Sequence, residues 1–133
     1  IIAIENKMGL KYLAGVPEDH TGGVFDGVND YVGITHVKTL TKPELETLLY
    51  GAGYKEVKFY YPMPDYKMPN VIYSDEHLPV AGELRHVTNV FDRPRYQTFQ
   101  EEAVYDQLCK DGKFDYFANS FLIFVLSLFG MES

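Results

Sequence analysis

The stretch Leu40-Thr41-Lys42-Pro43-Glu44-Leu45, continued by Leu48, Leu49, Ala52 and Gly53 and then by Val57-Lys58-Phe59-Tyr60-Tyr61, decides the fold. Thr41 stands three positions before Glu44, so its hydroxyl can accept from the Glu44 amide while the Glu44 carboxylate reaches back to the Thr41 amide. Leu40 and Leu45 occupy the positions of a hydrophobic staple. Leu45, Leu48, Leu49 and Ala52 then form an i, i+3, i+4, i+7 stripe, and Gly53 suits the left-handed residue that stops a helix. The spacing predicts a helix over 42–52 with one apolar face. After it, Val57, Phe59 and Tyr61 alternate on one face of a strand, and Pro62 and Pro64, lacking amide donors, are expected to end its pairing.

Upstream, Ile1 to Glu5 is an apolar run closed by a charge, the pattern of a strand buried on both faces. It opens without Met and without the basic, apolar, small-residue order of a secretion signal, and it reads as a strand of a longer protein entered from upstream. Gly15 to Gly33, rich in Gly, Asp and Asn, carries turn chemistry and no period, so a long loop is expected. Downstream, residues 66–119 form an insertion, in which Thr98-Phe99-Gln100-Glu101 repeats the capping-box pattern and opens a helix running to Lys110, with Gly112 as its stop. Ser120 to Leu126 is apolar on both faces and rich in β-formers, which predicts a central final strand. Strand, helix, strand is a right-handed crossover with parallel strands. Inserting the last strand antiparallel between the first two gives the order first, third, second, in one α/β domain over 1–133.

Composition bounds what such a domain does. At 133 residues and 15.2 kDa the chain has the size of a single core, and 46% hydrophobic against 23% charged residues takes it out of the disordered class. A net charge of −7 has the wrong sign for nucleic-acid binding. The longest apolar segment, Phe121 to Phe129 broken by Ser127, falls far short of the roughly 20 residues that span a bilayer, so no membrane span is expected. The lone Cys109 excludes an internal disulfide and a Cys-based zinc site, and points to the reducing cytoplasm. Eleven Tyr and nine Phe without Trp predict an aromatic core. No Ser-His-Asp order, phosphate-cradling glycine loop or Cys-x-x-Cys supports hydrolase, nucleotidase or redox chemistry.

Four groups of residues carry chemistry. Glu5-Asn6-Lys7 lies at the carboxyl end of the first strand, where ligands bind in open α/β sheets; Asn6 suits orienting a substrate and Glu5 or Lys7 polar contact or proton transfer, against the plainer reading of a solvated strand end. In Pro17-Glu18-Asp19-His20-Thr21-Gly22-Gly23, His20 paired with Asp19 or Glu18 suits a general base, against a solvated acidic loop. Tyr60, Asp65 and Tyr66 offer stacking faces and polar groups for a sugar, whereas Phe59 and Tyr61 read as core. Arg85 leads a basic cluster with His86, Arg93 and Arg95 that suits a phosphate or carboxylate, against pairing with Asp92, Glu101 and Glu102. The histidines, His20, His36, His77 and His86, have no metal-ligand spacing.

The framework resembles a known family. Ile1-Ile2-Ala3-Ile4-Glu5-Asn6-Lys7, the Thr41-capped segment to Leu49, Gly51-Ala52-Gly53-Tyr54-Lys55-Glu56-Val57 and Ser120 to Val125 are similar to the fifth strand, following helix, helix-to-strand turn and last two strands of the class I methyltransferase fold. The resemblance covers about half of the chain. It implies a partial Rossmann-like sheet in the order 5-7-6 with the last strand antiparallel, and S-adenosylmethionine as cofactor. The family's glycine-rich turn after its first strand and the acid ending its second, which hold that cofactor, have no counterpart here, so the site lies mostly outside the chain and the chain alone is not expected to catalyse. On this resemblance Asn6 and the His20 loop fall on the acceptor-substrate side, with Glu5, Lys7, Asp19, Tyr60, Asp65, Tyr66 and Arg85 as substrate contacts and a glycan or phosphorylated metabolite as acceptor. The competing expectation is a non-catalytic assembly module, pairing through the unpaired edge of the first strand with a partner or a second copy.

Overall fold

The computed structural model describes residues 1–33, 38–84 and 99–127. Along the chain these form β1 (Ile2–Glu5), α1 (Leu10–Leu13), α2 (Lys42–Gly51), β2 (Glu56–Met63), β3 (Val71–Ser74), α3 (Glu101–Lys110), α4 (Phe114–Phe117) and β4 (Ser120–Leu126). The sheet order is β1-β4-β2-β3. β4 runs antiparallel to both neighbours, with Ile4 opposite Phe121 and Phe59 opposite Ile123, so β1 and β2 lie parallel on either side of it. That is the first-third-second order expected from the sequence.

The helix behind this arrangement forms for the reasons read from Thr41. Its side chain accepts from the Glu44 amide, the Glu44 carboxylate accepts from the Thr41 amide at 3.0 Å, and Gly53 adopts φ +103° just past the helix end. Two expectations are corrected. Pro62 does not end β2, which continues through it to Met63, opposite Ile72 and Val71 of β3. Strand alternation turns the Pro62 nitrogen towards β4, where pairing stops at Tyr60, and leaves the ladder to β3 with Tyr61 and Met63, so no bond to β3 is lost. The capping box expected at Thr98 is the second: α3 starts at Glu101 behind Gln100, with no side-chain cap, because Glu101 is the first helical residue rather than the third. Thr98 itself lies outside the described residues. The short elements β3, α1 and α4 were not predicted; four residues are too few to show a period.

The core lies on one sheet face. Val57, Phe59, Tyr61 and Met63 of β2 and Phe121, Ile123 and Val125 of β4 meet Leu45 and Leu49 of α2, Tyr105 of α3, Phe114 of α4 and Leu10 of α1. Phe59 and Phe121 meet edge to face at 5.3 Å, as do Tyr61 and Phe114 at 5.7 Å. The reverse face carries Ala3, Glu5, Lys58, Tyr60, Ser120, Leu122 and Phe124, with Phe124 exposed. Among the described residues no helix is long and apolar enough to cross a membrane.

Candidate functional site

The ionisable side chains gather on the reverse face at the carboxyl ends of β1 and β2. Glu5 points there because it alternates with Ile4, which faces the core. α1 then folds over the strand end: Lys11, whose amide donates to Asn119 Oδ1 at 3.0 Å, brings its Nζ to 2.8 Å from Glu5 Oε2 and 3.5 Å from Asp65 Oδ2. The turn after β2 closes over the same spot, since the Tyr66 amide donates to Ser120 Oγ at 2.9 Å, and Asp65 Oδ1 accepts from the amides of Lys67 and Met68 at 2.8 and 3.2 Å. The result is a nearly dry cluster of two carboxylates around one ammonium, with side-chain exposures of 2% for Glu5, 6% for Lys11 and 7% for Asp65.

This burial sets its electrostatics. Desolvation, with Asp65 adding to it, pushes the Glu5 carboxyl above its ordinary range, although Lys11 and Lys67 oppose it. The Tyr12 hydroxyl beside Glu5 is raised in turn, by burial first and then by the charge of Glu5. Glu5 Oε1 accepts no hydrogen bond among the described residues. Outward from the cluster, Lys67 Nζ lies 6.0 Å from the centre of the Tyr66 ring and 2.9 Å from Asp19 Oδ2, which ties the loop to the turn. That contact holds Asp19 below and Lys67 above their usual ranges.

The loop is shaped from within. Glu18 is buried and accepts from the amides of His20 at 3.1 Å and Thr21 at 3.0 Å, while its own amide and carbonyl bond Gly23 and Gly22. Thr21 Oγ1 donates to Asp26 Oδ2 at 2.6 Å, and Pro17 bridges Val24. His20 is thereby presented, exposed, at the tip of a closed turn. Further on, Asp30 and Tyr31 both adopt left-handed backbone; Asp30 pairs with Lys7 at 3.0 Å, and the buried Tyr31 hydroxyl lies 2.6 Å from Thr39 Oγ1.

The structure therefore brings Glu5 to Asp65 through Lys11, and Asp19 to the turn that carries Asp65 and Tyr66 through Lys67, with His20 exposed beside Asp19. It separates others. Asn6 is wholly buried, donating to the carbonyls of Tyr116 at 2.8 Å and Ala118 at 2.7 Å and accepting from the Met8 amide at 3.0 Å, so the substrate-orienting role expected of it gives way to a structural one. Glu5 and Asp65 are closed off from solvent and shape the site from beneath, in place of the substrate contacts expected. Lys7 turns to the other side of β1, between Asp30 and Glu44 at 3.0 Å each; burial works against its charge, and the two carboxylates outweigh it and raise its titration. Tyr60 packs edge to face on Phe124 at 5.2 Å, along the sheet from the cluster. Arg85, His86, Arg93, Arg95 and His36 lie outside the described residues.

Sequence reasoning missed Lys11, the residue that organises the cluster. Its signal was a lone charge within Leu10-Lys11-Tyr12-Leu13-Ala14, which calls for a buried partner. It also missed a second network on the core side, where Lys42 Nζ donates to Tyr61 Oη at 2.8 Å and to Asp115 at 2.9 Å, and Tyr61 donates to Asp75. That network cross-links α2, β2, α4 and the turn after β3. Among the described residues no three His, Cys, Asp or Glu side chains converge on a metal position. A shallow groove of about 460 Å³ along α2, lined by Leu40, Pro43, Glu44, Thr47 and Leu48, touches none of the Glu5 cluster. Comparison with protein-family models, with curated proteins and with solved structures finds no match for this chain.

Proposed function

We propose that this chain is the carboxy-terminal part of a class I, S-adenosylmethionine-dependent methyltransferase domain and supplies its acceptor side, in the cytoplasm. One observation carries the reading: parallel β1 and β2 joined through a capped crossover helix, with the final strand antiparallel between them. In an open α/β sheet the ligand side is the carboxyl ends of the parallel strands, and there the exposed His20, Asp19 and Lys67 and the half-buried Tyr66 lie above the buried Glu5–Lys11–Asp65 cluster. Transfer of a methyl group to an oxygen or nitrogen acceptor leaves a proton to be removed. In this reading His20, exposed beside Asp19, takes it, with Tyr66 and Lys67 for contact with a glycan or phosphorylated acceptor.

The residues present do not make the cofactor's own site. A nucleoside-bearing ligand needs free backbone amides and a free carboxylate at a strand end. Here the Glu5 carboxylate is committed to Lys11 and Asn6 to backbone groups. In this reading those groups belong to the remainder of the domain. The whole gene product is then expected to bind S-adenosylmethionine in calorimetry and the 133-residue chain alone not to. Failure of the whole product to bind removes the proposal.

A second reading, an assembly module, draws on the outer edge of β1. Ile2, Ile4 and Asn6 direct their backbone groups to β4, whereas Ala3 and Glu5 direct theirs away from it; Lys7, with the same outward parity, donates to Leu40 O at 3.2 Å. A second copy is the partner this reading commits to.

A further inference from the structure

We propose that Glu5 is a positioning residue that works as a proton-operated latch: bearing a proton, it lets α1, the 65–67 turn and the His20 loop close on the strand end, and losing it opens them. The inference rests on the acceptor-side reading of the His20 loop and adds its regulation.

Geometry makes Glu5 the member of the cluster that holds the proton. Asp65 receives two backbone amides as well as Lys11, whereas Glu5 receives no backbone amide: Lys11 meets its Oε2 and the Tyr12 hydroxyl lies beside it, while Oε1 has no hydrogen-bond partner among the described residues. One ammonium thus faces two carboxylates where water is nearly absent, and a second full negative charge there has no compensating partner. The other charged groups lie further out. Lys67, on the turn, is drawn off by Asp19; Glu18, on the loop, is held by the amides of His20 and Thr21; Tyr12, on α1, is kept protonated by burial. His20 is exposed at the loop tip and beside Asp19 in sequence.

The cluster is connected to the loop by contacts of known length. Asp65 organises the turn through the Lys67 amide at 2.8 Å, and Lys67 reaches Asp19 at 2.9 Å, one residue from His20. Loosening Asp65 and Lys11 therefore frees the hold on the loop.

The sign follows from linkage. A carboxyl raised by burial keeps its proton in the closed state at pH values where the open state has lost it. Closure is at full strength below the ordinary glutamate value of 4.5 and weakens as pH rises, by up to about tenfold per pH unit, until Glu5 ionises in the closed state.

Carbon-13 titration of the Glu5 carboxyl in the intact chain is expected to give a midpoint above 4.5. Over the same range, protection of the Tyr66 and Lys67 amides, corrected for intrinsic exchange, is expected to fall by up to about tenfold per pH unit, and Glu5→Gln to abolish that slope. Lys11→Met, which removes the ammonium at 2.8 Å, moves the Glu5 midpoint up further. A midpoint at or below 4.5, or an unchanged slope in Glu5→Gln, overturns the latch. Should Glu5→Gln fail to fold, the unaltered chain decides: Tyr66 and Lys67 protection must fall as the Glu5 carboxyl ionises, and protection that stays flat over that range overturns the latch. Neither readout involves methyl transfer, so failure here is distinct from failure of the methyltransferase reading.

Discussion

Asn6 sits in a cage of three backbone groups, those of Tyr116, Ala118 and Met8, and Asn119 in a second one made by the Lys11 amide, the Pro64 carbonyl and the Tyr105 hydroxyl. Both side chains are wholly buried. An amide suits these positions because it offers donors and an acceptor in one plane without charge. Replacing Asn6 by Ala leaves two carbonyls and one amide buried without partners, and chemical denaturation is expected to show a loss of about 2–4 kcal/mol. A variant as stable as the parent would return Asn6 to the substrate-orienting role its strand-end position suggests. The sequence placed Asn6 just past the carboxyl end of β1. It did not show where the side-chain amide would find its acceptors, because the Tyr116 and Ala118 carbonyls lie more than a hundred residues away.

Among the elements, α2 was the most legible and α1 the least. Every determinant of α2 is local: the Thr41–Glu44 box, the proline in its first turn, the leucine stripe and Gly53. Thr41→Ala is accordingly expected to cost about 1 kcal/mol, and Thr41→Ser to recover most of it, as read from denaturation midpoints. Glu44 makes the box doubly useful, because its carboxylate, held below its usual range first by the Thr41 amide, also pairs with Lys7. By contrast α1 exists because Lys11 and Leu10 are captured from opposite sides, by the carboxylates and by the core. One helical turn has too few internal bonds to form on local preference. β3 belongs with α1 here: it is called into existence by the free edge of β2, with Tyr73 laid opposite Tyr61. The Tyr73 hydroxyl, pushed up to about 12 by burial and Glu83, remains protonated there.

At the scale of the molecule, helices cover one sheet face and the ionic cluster covers the carboxyl end of the other, while β1 ends the sheet on one side and β3 on the other. Ile1, Leu48 and Phe124 are exposed apolar groups on the β1 side, on α2 and on the reverse face. If β1 pairs with a second copy, light scattering on the eluting chain at micromolar concentration gives twice the mass, and a lysine in place of Ala3 returns it to a monomer. A clean monomer of the unaltered chain sets the assembly reading aside. By itself the sequence determined the order of β1, β4 and β2, the crossover helix and the core face of β2, since alternation, capping and the chain's own connectivity act within a few residues or through handedness, whereas β3, the exposure of Leu48 and Ala52 on the expected stripe of α2 and the exposure of Ala3 on β1 were not read from it. Only the tertiary structure decided the site. Pairing Glu5 with Lys11 and Asp65, sealing Asn6 and tying Asp19 to the turn after β2 depend on which distant groups meet in three dimensions, and burial energies of that kind are set by three-dimensional neighbours.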